Sequence, residues 1–77
     1  MTFELFESVV LTVDLPEHGL RASDLGTVVE IYSPDGLEVE FVTTSGLTQA
    51  IVTLPASSVR KVEPDDIVTV RPAQPAA

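Results

Sequence analysis

The amino-acid sequence predicts an all-β domain, a small and partly open barrel of five strands with one short 3-10 turn before the last strand. Hydrophobic residues make up 44% of the chain and valine is the commonest of them, which favours sheets, where β-branched side chains pack well. Five short apolar runs recur at a spacing of roughly ten residues, with turn-forming residues between them. The chain has 77 residues, enough for one small domain, and a bent barrel limits exposed strand edges in so short a chain.

The first two predicted strands lie on either side of a long polar loop. Apolar side chains alternate in "ESVVLTVDLP" (residues 7–16), and Pro16 ends that strand because it has no N–H to donate to a ladder. The loop "PEHGLRASD" shows no helical periodicity. In "GTVVEIY" (26–32), Val28 and Ile31 are three residues apart, and a β-bulge between them would let both face inward. A strongly bent strand in a small barrel would produce the same pattern.

The third and fourth predicted strands complete a meander of hairpins. "LEVEFVT" (37–43) has the clearest alternation of apolar and polar residues in the chain, and "LTQAIVTL" (47–54) is the fourth strand. The turn sequences "SPDG" (33–36) and "TTSG" (43–46) precede them. Short connections of this kind join antiparallel neighbours, so strands two, three and four are expected to pair in order.

The pattern changes after the fourth strand. "PASSV" favours a single 3-10 turn, because proline suits the first position of a helical turn, and "VRKV" is the short fifth strand. We therefore place the barrel at residues 1–62 and a C-terminal extension at 63–77, which ends in a tail rich in proline and alanine. Three apolar residues of the extension could add a short edge strand: Ile67, Val68 and Val70.

The first loop has a structural explanation that needs no chemistry. Leu20 and Leu25 are expected to point inward and anchor it, and Asp24 suits a local Asx turn. Asp14 and Arg21 are expected to form a surface pair across the loop, worth at most about 1 kcal/mol.

Composition and charge exclude several classes of protein and function. The chain has no cysteine, which excludes disulfides, thiolate metal sites and a cysteine nucleophile. The N-terminus lacks the basic start of a signal peptide and no apolar run approaches the length of a membrane span, so a cytoplasmic protein is expected. The net charge of −8 suits solubility, and it also suits a protein partner with a basic surface. Direct nucleic-acid binding is disfavoured, because phosphate recognition needs clustered Lys and Arg.

The residue types and their spacing give little support for a catalytic site or a metal site. His18 is the only histidine, and beside Asp14 or Glu17 it could act as a general base, but a loop histidine with local contacts is the favoured interpretation. No serine stands in a nucleophile elbow, and one histidine without cysteines does not make an ordinary zinc set. We therefore predict no catalytic residue, no cofactor and no metal.

Six residues are predicted as contacts for a partner. Glu38 and Glu40 alternate with apolar positions on the third strand, so they share its outer face, and an outward Glu30 would extend that face to the second strand. Tyr32 ends the second strand beside a turn. The tip of the first loop supplies the other two, Glu17 and His18.

The chain also resembles a family. "VVLTVDLPEHGLRASDLGTVVEIY", followed by "LEVEFVTTSGLTQAIVTLPASSVRKV", is similar to small uncharacterised bacterial proteins that share a "DLPEHGL" loop, a "GTVVEVY" strand and a "TLPA" turn. The resemblance covers residues 3–62 and implies an SH3-like barrel, of the type found in the nitrile hydratase β subunit and in KOW elements. It also implies toxin–antitoxin-like or accessory settings, and it transfers no catalytic residue to this chain.

These observations predict a non-catalytic protein-binding module. One form of it is an acidic antitoxin- or immunity-type protein that covers a basic surface of its partner. An accessory subunit of a larger enzyme, as in nitrile hydratase, is the alternative, and a KOW-type nucleic-acid-binding barrel is a further one. The oligomeric state is left open.

Overall fold

The computed structural model describes residues 2–75, which form one five-stranded antiparallel sheet and two 3-10 turns. The order of the strands across the sheet is β4-β3-β2-β1-β5. The two turns are Pro16–His18, in the first loop, and Ala56–Ser58, directly before the last strand. The strands are β1 (Ser8–Leu11), β2 (Leu25–Tyr32), β3 (Gly36–Val42), β4 (Thr48–Pro55) and β5 (Val59–Lys61). The all-β prediction is confirmed, and the sheet is not fully closed because β4 and β5, at its two ends, do not pair.

The hydrophobic core follows the alternation of the strands. Val28 lies opposite Val39, and Val39 lies opposite Val52, so three valines form a row across β2, β3 and β4. Val28 and Val39 are fully buried, as expected for the inner face of a bent sheet. The other buried members of this core cluster are Phe3, Val9, Leu11, Leu20, Leu37, Phe41, Leu54 and Val59.

A β-bulge interrupts the pairing of β2 with β3 between Val28 and Glu30. The extra residue resets the alternation, so that Val28 lies opposite Val39 and Ile31 lies opposite the buried Leu37. Of the two explanations for the spacing of Val28 and Ile31, a bulge or a strongly bent strand, the structure shows a bulge. Ile31 is nevertheless 42% exposed, because it lies next to the last residue of β2, at the end of the barrel.

Gly26 allows β2 to lie close to the side chains of β3. A Cβ atom at this position would lie 2.6 Å from Cγ1 of Val39 and 2.8 Å from Cε1 of Phe41. These distances are too short for any side chain, so this part of the core is complete only with glycine at position 26.

The first loop is anchored by one of its two leucines. Leu20 is buried, as predicted, but Leu25 is 51% exposed and its predicted inward position is wrong. Neighbouring residues of a strand point to opposite faces, and Gly26 faces the core, so Leu25 must face outward. The predicted pair of Asp14 with Arg21 does not form either, because Oδ1 of Asp14 accepts the backbone N–H of Ala22 at 2.9 Å.

The C-terminal extension forms neither helix nor strand in residues 62–75. The predicted edge strand at residues 67–70 is therefore not formed. A turn closes at Asp66, where the backbone N–H of Asp66 donates to the carbonyl of Glu63 at 3.1 Å. The carboxylate of Asp66 accepts one hydrogen bond from each terminal nitrogen of the Arg60 guanidinium, at 2.9 and 3.0 Å. The last residues of the predicted tail, 76 and 77, lie outside the described residues.

Farther along, the extension returns to the first loop and is held there. The guanidinium of Arg71 donates two hydrogen bonds to the carboxylate of Asp24 and a third to the carbonyl of Gly19. The side-chain amide of Gln49 donates to the carbonyl of Gln74 at 2.9 Å. The extension thus crosses over the outer face of the sheet and is fixed near both of its ends.

Candidate binding surface

Three glutamates lie together on the outer face of β2 and β3. Glu30 is directly opposite Glu38, and Glu40 follows two residues later on the same side of β3. Glu38 and Glu40 face outward because the residues that alternate with them on β3 form part of the core, and Glu30 is exposed opposite Glu38. We call these three residues the acidic face. The sequence predicts each of them as a contact, and the structure places them side by side.

The hydrogen bonds that the acidic face accepts come from neutral groups. The Tyr32 hydroxyl donates to Oε1 of Glu38 at 2.8 Å, and the Thr48 hydroxyl donates to Oε2 of Glu40 at 2.7 Å. Among the described residues, no Lys or Arg pairs with any of the three glutamates. Three of the four Lys and Arg residues form ion pairs elsewhere, namely Arg60–Asp66, Lys61–Glu7 and Arg71–Asp24, and the fourth is Arg21 in the first loop. The negative charge of the acidic face is therefore not compensated within these residues.

The pKa of Tyr32 is raised by this negative charge. Its hydrogen bond to Glu38 is the main reason that its pKa lies above the ordinary value, and partial desolvation and the charges of Glu38 and Glu30 act in the same direction. Each of these influences disfavours the tyrosinate anion.

We expect the replacement of Glu38 by glutamine to lower the pKa of Tyr32 towards its ordinary value. The amide oxygen can still accept the hydroxyl proton, but the negative charge that opposes ionisation is gone. The chain has one tyrosine and no tryptophan, so near-ultraviolet absorbance during an alkaline titration follows this residue alone. Glu40→Gln is the matched control, since Glu40 bonds Thr48 and not Tyr32. An unchanged midpoint in E38Q would contradict the argument.

The other two predicted contacts lie elsewhere in the structure. Glu17 is exposed and His18 is half-buried in the first 3-10 turn. The backbone carbonyl of His18 accepts from the Gln49 side chain at 3.3 Å. No hydrogen bond or ion pair within residues 2–75 joins either of them to the acidic face, so the six predicted contacts divide into two separate places.

Two hollows mark the surface of the described residues. A small one of about 190 Å³ lies beside Tyr32 and Phe3, at the turn between β2 and β3. It is smaller than typical ligand pockets, which measure about 300 to 1,000 Å³. A broad and open one of about 1400 Å³ lies between the C-terminal extension and the outer face of the sheet.

Sequence reasoning misses the pairing of Asp24 with Arg71. The sequence predicts an Asx turn at Asp24, with a bond to the backbone two residues later, but Oδ2 of this residue accepts the backbone N–H of Arg21, three residues earlier, at 2.9 Å. Its second role depends on a residue 47 positions later, and no local spacing signals it. Burial raises the pKa of Asp24, but the hydrogen bonds from Arg71 and Arg21 and the charge of Arg71 outweigh that effect and hold the pKa below its usual value.

Comparison with known proteins gives a family and no function. No helix among the described residues is long and apolar enough to cross a bilayer. No curated protein and no solved structure matches the chain. The family described as Domain of unknown function (DUF4926) matches residues 5–61, which span β1 to β5 with the first loop and both turns. The chain therefore belongs to the DUF4926 family.

Proposed function

We propose that this chain is a non-catalytic protein-binding module whose acidic face docks on a basic surface of another protein. The observation that carries the proposal is the set of three outward glutamates, Glu30, Glu38 and Glu40, on neighbouring strands with no cation of the described residues to pair with them. Like charges directly opposite each other in a sheet are destabilising by roughly 0.2–1 kcal/mol. A partner's Lys or Arg side chains would relieve this repulsion, and they would be drawn towards the face during encounter.

The arrangement of strands supports an SH3-like barrel as the frame of this module. A long first loop, a three-stranded meander, a 3-10 turn and a short last strand follow in that order, with β1 between β2 and β5. This plan resembles the barrels of the nitrile hydratase β subunit and of KOW elements. A fold of this kind hosts many functions, so the choice among them depends on the surface.

The surface favours a partner that is reversibly bound and basic. Permanent subunit interfaces are more apolar than transient ones, and the acidic face is charged, so an antitoxin- or immunity-type role fits it better than an accessory subunit does. A KOW-type role would need a basic surface. Arg60, Lys61 and Arg71 are each paired with a carboxylate, which leaves little positive charge for phosphates.

The test is a pull-down from the native host with three baits: the wild type, the double variant E38K/E40K and the double variant E63K/D65K. The two variants change the net charge equally, but only the first alters the acidic face. We expect at least one basic protein to bind the wild type and E63K/D65K and to be lost with E38K/E40K. Its binding to the wild type should weaken as salt is raised, since exposed charges are screened.

Two results would contradict the proposal. One is a wild-type bait that retains no specific protein, and the other is a partner that both variants retain equally. Thermal unfolding followed by circular dichroism is measured for each bait, so that loss of the fold is distinguished from loss of the contact. Tight and salt-dependent binding of the wild type to an RNA fragment, followed by fluorescence anisotropy, would favour the KOW-type alternative instead.

A further inference from the structure

The middle of the C-terminal extension is apolar, exposed and unpaired. Ile67, Val68 and Val70 are 87%, 81% and 83% exposed, the highest values among the large hydrophobic residues of the described chain. No hydrogen bond within residues 2–75 reaches the backbone of residues 67–70. The flanking residues are held by ion pairs, Asp66 with Arg60 and Arg71 with Asp24. We call residues 66–71 the strap.

The strap has a composition typical of β-strands, but it pairs with no strand of the described residues. Isoleucine, valine and threonine are enriched in sheets, which is why the sequence predicts a strand here. A segment with free N–H and C=O groups and apolar side chains is a template for pairing with another strand. Because the strap is fixed at both ends, it would lose little further conformational freedom on pairing.

The surface beneath the strap is apolar too. Residues that line the broad hollow include Leu25, Val42 and Val62, which are 51%, 55% and 44% exposed. Together with the strap they make an apolar area on one side of the molecule, and soluble monomers rarely expose large areas of this kind without a use.

The charge around this area is balanced, unlike the charge of the whole chain. The ionisable residues that line the hollow are three acids (Asp24, Glu40 and Asp66) and three bases (Arg21, Arg60 and Arg71). The chain as a whole carries −8. Asp65, next to the strap, adds one further negative charge. Two copies of so acidic a protein repel each other, and an area in which acids and bases are nearly balanced lowers that repulsion at the contact.

We propose that the partner of the strap is a second copy of this chain, and that the two straps pair as antiparallel strands about a two-fold axis. With Val68 opposite Val68, Ile67 of each copy lies opposite Thr69 of the other, and Asp65 lies opposite Arg71. The axis repeats the juxtaposition of Asp65 with Arg71. Asp24 of the same chain accepts from Nε and Nη2 of Arg71, and Nη1 donates only to the carbonyl of Pro72, at 3.1 Å. This register therefore places Asp65 where it shares the charge of Arg71 with Asp24, at two symmetric places. With Thr69 opposite Thr69, Asp66 would face Pro72 and no such pair would form.

This inference does not depend on the proposed function. Glu30 and Glu38 of the acidic face lie outside the hollow and Glu40 lines it, so a dimer through the strap would leave two of the three glutamates of each acidic face outside the contact area. The two proposals are tested separately. The pull-down detects binding of a different protein, and the test of the strap measures self-association of the purified chain.

The first test is sedimentation equilibrium of the wild type, V68D and L47D across about a hundredfold range of concentration. We expect the wild type to dimerise and V68D to weaken dimerisation at least about tenfold, because two carboxylates would meet on the axis. Leu47 is 70% exposed in the turn between β3 and β4 and does not line the hollow, so L47D should dimerise like the wild type. A wild type that stays monomeric, or a V68D that dimerises equally well, would overturn the proposal.

A second test measures directly whether residue 68 of one copy lies opposite residue 68 of the other, and it does not depend on how V68D folds. The chain has no cysteine, so Val68→Cys introduces a single thiol. Facing residues of antiparallel strands have Cα atoms about 4.5 to 5.5 Å apart, which is within the range that a disulfide spans. We expect V68C to form a covalent dimer in oxidised glutathione, while L47C stays predominantly monomeric. Equal cross-linking of the two variants would count against the register.

Discussion

Replacing Gly26 by alanine should destabilise the domain by about 3 kcal/mol, the upper end of the cost of overpacking a core. The added methyl would stand 2.6 Å from Cγ1 of Val39 and 2.8 Å from Cε1 of Phe41, and neither side chain has space to withdraw inside the barrel. Total stabilities of about 0.05–0.15 kcal/mol per residue leave a chain this short little reserve. Urea unfolding followed by circular dichroism measures the change.

Gly36→Ala is the matched control for this prediction. The same methyl group there would be 3.4 Å from its nearest neighbour, the Cβ of Tyr32, which is an ordinary contact. Gly36 also has no positive φ, so the substitution should cost less than about 1 kcal/mol. Equal losses in G26A and G36A would show that the close approach of β2 to β3 does not exclude a side chain.

Replacing Asp24 by asparagine should cost about 2 kcal/mol at neutral pH, the order of magnitude for a hydrogen bond to a charged group. The substitution removes the charge to which Arg71 donates twice, and it leaves that guanidinium, 18% exposed, without its counter-charge. Asp35→Asn is the matched control, because its carboxylate is exposed and takes part in no ion pair of the described residues.

The effect of Asp24→Asn should depend on pH in a definite direction. The pKa of Asp24 is lower in the folded chain than its ordinary value of 3.8, so the carboxylate stabilises the fold above that pH. The contribution disappears as pH falls through the lower, folded pKa and the carboxylate is protonated. Urea unfolding should therefore show a large difference between the wild type and D24N at pH 7 and a smaller one in strong acid. A difference that stays constant over this range would contradict the assigned ion pair.

Patterns local in sequence predict most of the sheet. The alternation in residues 37–43 distinguishes the inner face of β3 from its outer face, and it assigns Glu38 and Glu40 to the outer one. The spacing of Val28 and Ile31 predicts an irregular β2, with a bulge as one of two explanations, and the bulge is the one observed. These features depend on side chains a few residues apart, which a sequence records directly.

Features that depend on distant parts of the chain could not be predicted in the same way. The sequence places Leu25 inside because it is a leucine at the end of a loop, but the close packing of Gly26 against β3 decides its direction. The residues of the strap favour strands, which predicts that it joins the sheet. Its position is set instead by Arg60 and by Asp24, and no spacing in the sequence reveals those pairings.

The pairing of Arg71 with Asp24 has a consequence for where this domain ends. The similarity to the DUF4926 family stops at residue 61, which is also the end of β5, and the last residue of the hydrophobic core is Val59. Asp24, inside that boundary, has its counter-charge ten residues beyond it. The segment that matches the family is therefore shorter than the segment that contains both members of this ion pair. A chain cut at the boundary of similarity would keep every buried side chain and still lose part of what holds its first loop in place.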